Sequence, residues 1–337
     1  MPRDNLTESR RKGGRAIRKS QDQARIRAAW LYYIEGMTQA DVADKLGLNR
    51  LAVTRMISEA KKRGEVLISI QSELSDLVEL QQRLQSRFGL ERAVVAPLED
   101  AADDPTRVIA SAAGGHISET MQAGMTVGVG WGRTLHTMLP FIEGRPLADM
   151  RVVSLLGGIA QARRFNPAEF AWQFAELFEA EGYLISAPAI VDSPQTRHAL
   201  LEKCGLEQIL QLAEACEVAV FSCGGISTMT TSYRSGHISE SDRHSLIEAG
   251  AVGDVLYHFL DAEGGLLDHP INERSISMPI ARLKRIPIRV LVSGGTEKLE
   301  ILSAALAAVA PTVLITDEVT ARALLGEDED PDVRDTD

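Results

Sequence analysis

The sequence predicts an α/β fold: an N-terminal winged helix-turn-helix followed by a mainly parallel, Rossmann-like α/β domain. Three observations predict it. A helical pattern stops at Gly47 and restarts at once from Asn49. Seven apolar runs alternate with helical patterns, and four of them end in glycine turns. The charge is divided, because residues 1–63 hold 15 Lys+Arg against 7 Asp+Glu, a balance of +8, while the rest carries −19 within an overall −11. A basic head on an acidic body implies that only the head meets a polyanion. The expected segments are a basic disordered tail (1–22), a winged helix-turn-helix (23–72), a linker helix (73–90), a ligand-binding domain (91–326) and an acidic tail (327–337).

Composition excludes several classes. Hydrophobic residues at 45% and charged residues at 25% suit a globular protein with a sizeable core. No run of eighteen apolar residues occurs, and the N-terminus is too charged for a secretory signal, so the expectation is a cytoplasmic protein without membrane contact. Cys204, Cys216 and Cys223 are odd in number and lack metal-ligand spacing, and no two histidines stand three or four apart. Reduced thiols, no metal site and no cofactor are therefore expected.

Taken in order, the first helical pattern places Ile26, Ala29, Trp30 and Tyr33 on one face and ends at Glu35-Gly36. Thr38 caps a short helix beginning at Gln39, whose inward residues are Val42, Ala43 and Leu46. Counted from Gln39, a small residue stands fifth and a glycine ninth, as two helices crossing steeply over a short turn require. Ala43 must be small where the helices touch, and Gly47 makes the turn. Asn49 then caps a third helix burying Val53, Met56 and Ile57. Arg50, Leu51, Thr54 and Arg55 face outward along that helix and can reach base edges of a duplex, while Lys61, Lys62 and Arg63 suit phosphates. Those last three equally suit a solvated helix end favoured by the dipole. The alternation in Glu65–Ile70 predicts a strand, hence a wing. A helix over residues 74–88 follows, carrying Leu74, Leu77, Leu84 and Phe88, and serves either a dimer contact or packing on the larger domain.

In the acidic body, candidate strands lie at 93–96, 127–130, 152–156, 183–186, 218–221, 288–292 and 312–316, with helices between them, among them 168–180 and 299–308. This alternation predicts a parallel sheet covered on both faces. A ligand then belongs at the carboxyl ends of the strands, where backbone amides favour an anion. The glycine turns there are Gly130-Trp131-Gly132, Gly157-Gly158, Gly224-Gly225 and Gly294-Gly295. Lys298 could place an ammonium at a phosphate or stand solvated at a helix start. Arg133, with Thr134 beside it, could bind a phosphate or pair with acidic surface. Asp254 could accept hydrogen bonds from sugar hydroxyls or serve a turn. Asp317 reads as a helix cap without a chemical role, and Cys223 as a small buried residue.

Together these residues resemble the SorC family of bacterial transcriptional regulators. The resemblance runs from about Ala24 to Leu325. It is carried by the helix-turn-helix, Gly130-Trp131-Gly132-Arg133-Thr134-Leu135, Leu155-Leu156-Gly157-Gly158, Gly250-Ala251-Val252-Gly253-Asp254, Gly294-Gly295 with Lys298, and Leu314-Ile315-Thr316-Asp317-Glu318. It implies a winged head joined to an effector domain similar to sugar-phosphate isomerases of the ribose-5-phosphate isomerase and glucosamine-6-phosphate deaminase type. It also implies a homodimer or homotetramer, double-stranded operator DNA as partner, a phosphorylated sugar or polyol as effector, and no catalysis. The family's pocket maps onto Gly132, Arg133, Thr134, Gly157, Gly158, Asn166, Asp254 and Lys298. Around Cys223 the chain departs from the family's Gly-x-Gly turn, reading Ser222-Cys223-Gly224-Gly225-Ile226. The alternative is a sugar-phosphate isomerase or deaminase-like enzyme carrying a DNA-binding head.

Overall fold

The structure is a computed structural model that describes residues 22–66, 75–158, 166–227, 233 and 238–327. The chain divides into two compact units, Met1–Ser69 and Ile70–Asp337.

The smaller unit is built on α1 (residues 22–33), α2 (Gln39–Leu46) and α3 (Arg50–Lys62). Their shared core is Ala28, Leu31, Val42, Ala43, Val53 and Ile57. The face expected for α1 is corrected: Ala28 and Leu31 point inward, whereas Ile26 and Trp30 are 51% and 57% exposed. Ala29 is buried as expected and Tyr33 packs on the core, but close approach of helices also selects the small Ala28, a preference that apolar spacing alone does not reveal. Arg25, buried, joins α1 to Glu65 (Nε–Oε2 2.7 Å) and pairs with Asp22 in the first turn of the same helix (Nη1–Oδ1 2.7 Å). The expected wing strand runs past Val66 outside the described residues.

The larger unit begins with α4 (Ser75–Phe88). Leu77, Leu80 and Leu84 are buried in this unit's own core, which decides for packing on the larger domain at those positions. Leu74 lies outside the described residues. The seven expected strands all form: β1 (Arg92–Ala96), β2 (Thr126–Val129), β3 (Arg151–Ser154), β4 (Glu181–Tyr183), β5 (Val218–Phe221), β9 (Ile288–Val292) and β10 (Val313–Asp317). They make one parallel sheet in the order β1-β10-β9-β5-β2-β3-β4. Alternation along the strands divides their side chains between two cores, as the period of two demands. Val218, Val220, Val290, Val292, Val313 and Ile315 enter one core, and Ala219, Phe221, Leu291 and Leu314 the other. The fourth strand forms two residues earlier than its apolar run suggested.

A second, three-stranded antiparallel sheet was not expected: β6 (Cys223–Gly225), β7 (Gly253–Val255) and β8 (His258–Leu260). Gly224-Gly225 is thus a strand paired with β7, not a turn, and Asp254 sits opposite Gly224 in that ladder. Leu256 and Tyr257 link β7 to β8 with φ of 53° and 60°, a two-residue connection of the I′ kind made without glycine. Each such residue costs on the order of 1–3 kcal/mol, which the surrounding packing must offset. Both side chains are buried.

Candidate functional site

Two candidate sites emerge, one in each unit. In the smaller unit, Thr38 and Asp41 form a reciprocal cap at the start of α2, Asp41 N–H donating to Thr38 Oγ1 at 3.2 Å and Thr38 N–H to Asp41 Oδ2 at 3.2 Å. Gly47 takes φ 64° in the turn, and Leu48 N–H returns to the Ala43 carbonyl at 2.9 Å. Asn49 Oδ1 accepts the Ala52 N–H at 2.7 Å and starts α3. Arg50, Leu51, Thr54, Arg55 and Lys62 are exposed, and Leu51 is 60% so despite being apolar. Thr54 Oγ1 lies 2.8 Å from Gln39 Oε1, which ties the first turns of α2 and α3 together. Lys61 stacks over Tyr33 at 5.2 Å, and Arg63 pairs with Glu59 at 2.8 Å and Asp22 at 3.6 Å. Of the three expected phosphate contacts, Lys61 and Arg63 therefore already serve internal partners.

The second site lies at the carboxyl edge of the large sheet. From β2 the chain runs outward to β3 and β4, then returns to place β5 on β2's other side, so β2 and β5 flank the switch point. Gly130-Trp131-Gly132 leaves β2 there and leads into α6 (Arg133–Met138), which no side chain caps. Gly132 holds φ 137°, and a Cβ on it would meet only Ser222 Cβ, at 3.9 Å. Trp131 is buried and stacks on Tyr257 with centroids 5.3 Å apart. The Arg133 guanidinium faces the Asp104 carboxylate with both nitrogens, Nη1–Oδ2 3.2 Å and Nη2–Oδ1 3.4 Å. Thr134 is buried.

Charge converges on Asp104. Desolvation opposes its ionisation, but hydrogen bonds from Thr106 and the positive charges of Arg133 and Lys298 win and hold its carboxyl below the usual range. Lys298 ends the short 3-10 turn Thr296–Lys298 after β9 and bears also on Cys223, which is buried beside Ser293 (Sγ–Oγ 3.3 Å). Burial pushes the Cys223 thiol up, which makes it a small core residue. Asp254, 5% exposed, accepts the Tyr257 N–H at 2.9 Å through Oδ2. Burial pushes its carboxyl up to about 7, with that hydrogen bond opposing. Arg133 and Lys298 thus act on Asp104, and Lys298 and Asp254 act on Cys223, so Lys298 links groups from four separate loops or strands.

Several glycines have another purpose than the one expected. Gly157 N–H donates to the Ile276 carbonyl and Gly158 N–H to that of Ala187, each at 2.8 Å. Gly295 N–H is held by Thr320 Oγ1 at 2.8 Å and Asp317 Oδ2 at 3.2 Å. These amides are committed within the fold and do not point at an anion. A Cβ at Gly157 would lie 2.6 Å from the Ala187 carbonyl oxygen, at Gly224 2.9 Å from Asp254 Oδ1, and at Gly294 2.2 Å from Asp317 Oδ2. The missing side chains there admit protein atoms, and Gly132 and Gly158 keep ordinary clearance. Asn166 caps α7 (Pro167–Leu177) through Oδ1 and the Ala168 N–H at 3.0 Å, and its Oδ1 is 3.6 Å from a Cβ position at Gly158. Asp317, expected only as a cap, also anchors the turn carrying Lys298.

Among the described residues no group of three His, Cys, Asp or Glu side chains could hold a metal ion, and no helix is long and apolar enough to cross a membrane.

The Sugar-bind model, which describes a sugar-binding domain, matches residues 72–326. The transcriptional regulator LsrR of Klebsiella pneumoniae is 31% identical over 330 residues, covering 96% of this chain and 99% of the relative. The deoxyribonucleoside regulator of Bacillus subtilis is 30% identical over 312 residues, 92% of this chain and 99% of its own. The chain belongs to the SorC family of transcriptional regulators. The full-length sorbitol operon regulator SorC from Klebsiella pneumoniae shares the fold, with a TM-score of 0.67 at 24% identity over 91% of this chain and 99% of that one. In this SorC-family chain, sequence reasoning missed Asp104 and the Trp131–Tyr257 stack. Asp104 lies in a loop with no motif around it, and only its place before α5 (Thr106–Thr120), whose Thr106 N–H it accepts at 3.0 Å, marks it as more than surface charge.

Proposed function

We propose that this regulator controls a carbohydrate or polyol catabolic operon, and that its larger unit senses a phosphorylated sugar or polyol at the carboxyl edge of the sheet. The observation that carries this reading is the convergence of Arg133 and Lys298 on one carboxylate beside the switch point. A fork-shaped guanidinium and an ammonium suit a phosphate, and the buried Asp254 with Asn166 suits hydroxyls. Gly132 and Gly158 leave room for close approach. In the smaller unit α3 enters the major groove, Arg50, Leu51, Thr54 and Arg55 read base edges, Lys62 meets phosphate, and Thr38, Gln39 and Asn49 fix the helix start against the backbone. A homodimer or homotetramer would match a two-fold symmetric operator. Effector and operator affect each other's affinity reciprocally, and the ligand acts only as far as it binds the two forms differently.

The test is a thermal-shift screen of phosphorylated sugars and polyols on the full chain, followed by operator binding with each hit. Lys298→Ala should retain operator affinity and lose most of the hit's effect. An undiminished response in that variant removes Lys298 from the pocket. A second reading rests on Asp254: a carboxyl titrating near 7 could serve as a general base. The regulator is favoured because the curated relatives are regulators along nearly their whole length. Turnover of any hit followed by NMR would establish the enzyme instead.

A further inference from the structure

Deepening that reading, we propose that Asp104 is an internal counter-anion, which competes with a ligand's phosphate for Arg133 and sets the affinity of the site. The carboxylate presents two oxygens to the Arg133 fork as a phosphate would, at 3.2 and 3.4 Å. It does not arrive there by chance of a long side chain. Asp104 stands two residues before α5 and accepts the Thr106 N–H at 3.0 Å, so the start of that helix holds it in place. Lys298 acts on the same carboxylate from the far side of the switch point. Both partners of the ion pair are about half exposed, 46% for Arg133 and 60% for Asp104. Such a pair contributes little to stability. It is therefore readily exchanged for a dianion that engages Arg133 and Lys298 together. A single negative charge left nearby still repels a dianion, and that repulsion is what Asp104 adds to the cost of binding.

The experiment uses the full chain, with orthophosphate at pH 8 as probe, titrated calorimetrically into wild type, Asp104→Asn, Arg133→Ala, Lys298→Ala and the double variant Asp104→Asn with Arg133→Ala. Asparagine keeps an oxygen for the Thr106 N–H and removes only the charge. Asp104→Ser, whose hydroxyl can accept the same bond, repeats the measurement if the asparagine variant folds poorly. The expected result is phosphate binding roughly three- to tenfold tighter in Asp104→Asn, with the gain absent when Arg133 is also replaced. Phosphate binding that needs Arg133 and Lys298 but is unchanged or weaker in Asp104→Asn and Asp104→Ser overturns the counter-anion while leaving the pocket intact. Absence of phosphate binding in every variant overturns the pocket and the counter-anion together.

Discussion

Asp254→Asn should stabilise the larger unit, and by an amount that depends on pH in a defined way. Asp254 is buried on β7, and its carboxyl is pushed from an ordinary 3.8 up to about 7. A carboxyl whose folded pKa exceeds its unfolded value holds its proton more tightly when folded. Its penalty is therefore absent below about pH 4, grows by about 1.4 kcal/mol per pH unit up to about 7, and is constant above. Over that interval the penalty reaches on the order of 4 kcal/mol. Asparagine cannot ionise and keeps an oxygen for the Tyr257 N–H, so the bond that shapes the β7–β8 turn survives. Groups such as His258, which burial pushes down to about 4, titrate alike in both proteins and cancel in the difference. Urea unfolding followed by tryptophan fluorescence, between pH 4 and 8.5, reads that difference, since Trp131 stacks on Tyr257. The stability gap should be near zero at the acid end, open through pH 5–7 and level off. A gap independent of pH, or an asparagine variant less stable at pH 8, would refute the argument that burial dominates at Asp254.

Other outcomes follow from the same geometry. Arg50→Ala and Arg55→Ala should each weaken specific operator binding by about 1–3 kcal/mol and relax sequence preference, read by gel shift against specific and random duplexes. If neither single variant nor the double variant differs from wild type, α3 is not the reading helix. Asn49→Ala removes the acceptor for the Ala52 N–H and should lower the smaller unit's stability by about 1 kcal/mol in thermal unfolding. Gly294→Ala places a Cβ 2.2 Å from Asp317 Oδ2 and 2.6 Å from Ile109 Cδ1, both fixed in the interior. It should cost about 1–3 kcal/mol and blunt the effector response by moving the turn that bears Lys298. Wild-type melting and response in that variant would mean that the turn is less constrained than its contacts indicate.

What could be read from sequence was whatever depends on local spacing. Thr38, Ala43, Gly47 and Asn49 act within one or two turns of their own positions, so cap, contact and corner were legible. The seven strands of the large sheet were legible because buried parallel strands are short apolar runs between turn signals. The second sheet was not. Its three-residue strands hold Gly224, Gly225 and Gly253, whose sequence signal is that of a turn. A Cβ at Gly253 would lie 2.2 Å from the Gly224 carbonyl oxygen, so these glycines exist to bring two strands together across about thirty residues of chain. The inward face of α1 differs from the expected one at Ile26 and Trp30 for a related reason: packing at Ala28 depends on what α2 and α3 present, and α1 alone does not carry that information.

The same distinction explains why several glycines expected to cradle an anion make other contacts in the structure. A glycine doublet after a strand says that something approaches closely without saying what. At Gly157 it is the Ala187 carbonyl, at Gly224 the Asp254 carboxylate and at Gly294 the Asp317 carboxylate. Two buried acids, one on a strand and one at a cap, are thus seated by glycines from other segments, Gly224 on β6 and Gly294 after β9, and Asp317 in turn holds the Gly295 N–H beside the Lys298 turn. The cations are held differently. Arg133 is about half exposed and engaged by a carboxylate that solvent also reaches, whereas Asp254 is fixed by Tyr257 in a hairpin whose two positive-φ residues are locked by burial. Under the proposed function, a rigid acceptor at Asp254 together with exchangeable cations at Arg133 and Lys298 would suit a small polyol carried on an anionic group. Under the same proposal, Asp254 would set the selectivity of the site, and Arg133 and Lys298 its affinity. Substitutions at the two places should therefore change different properties of the response.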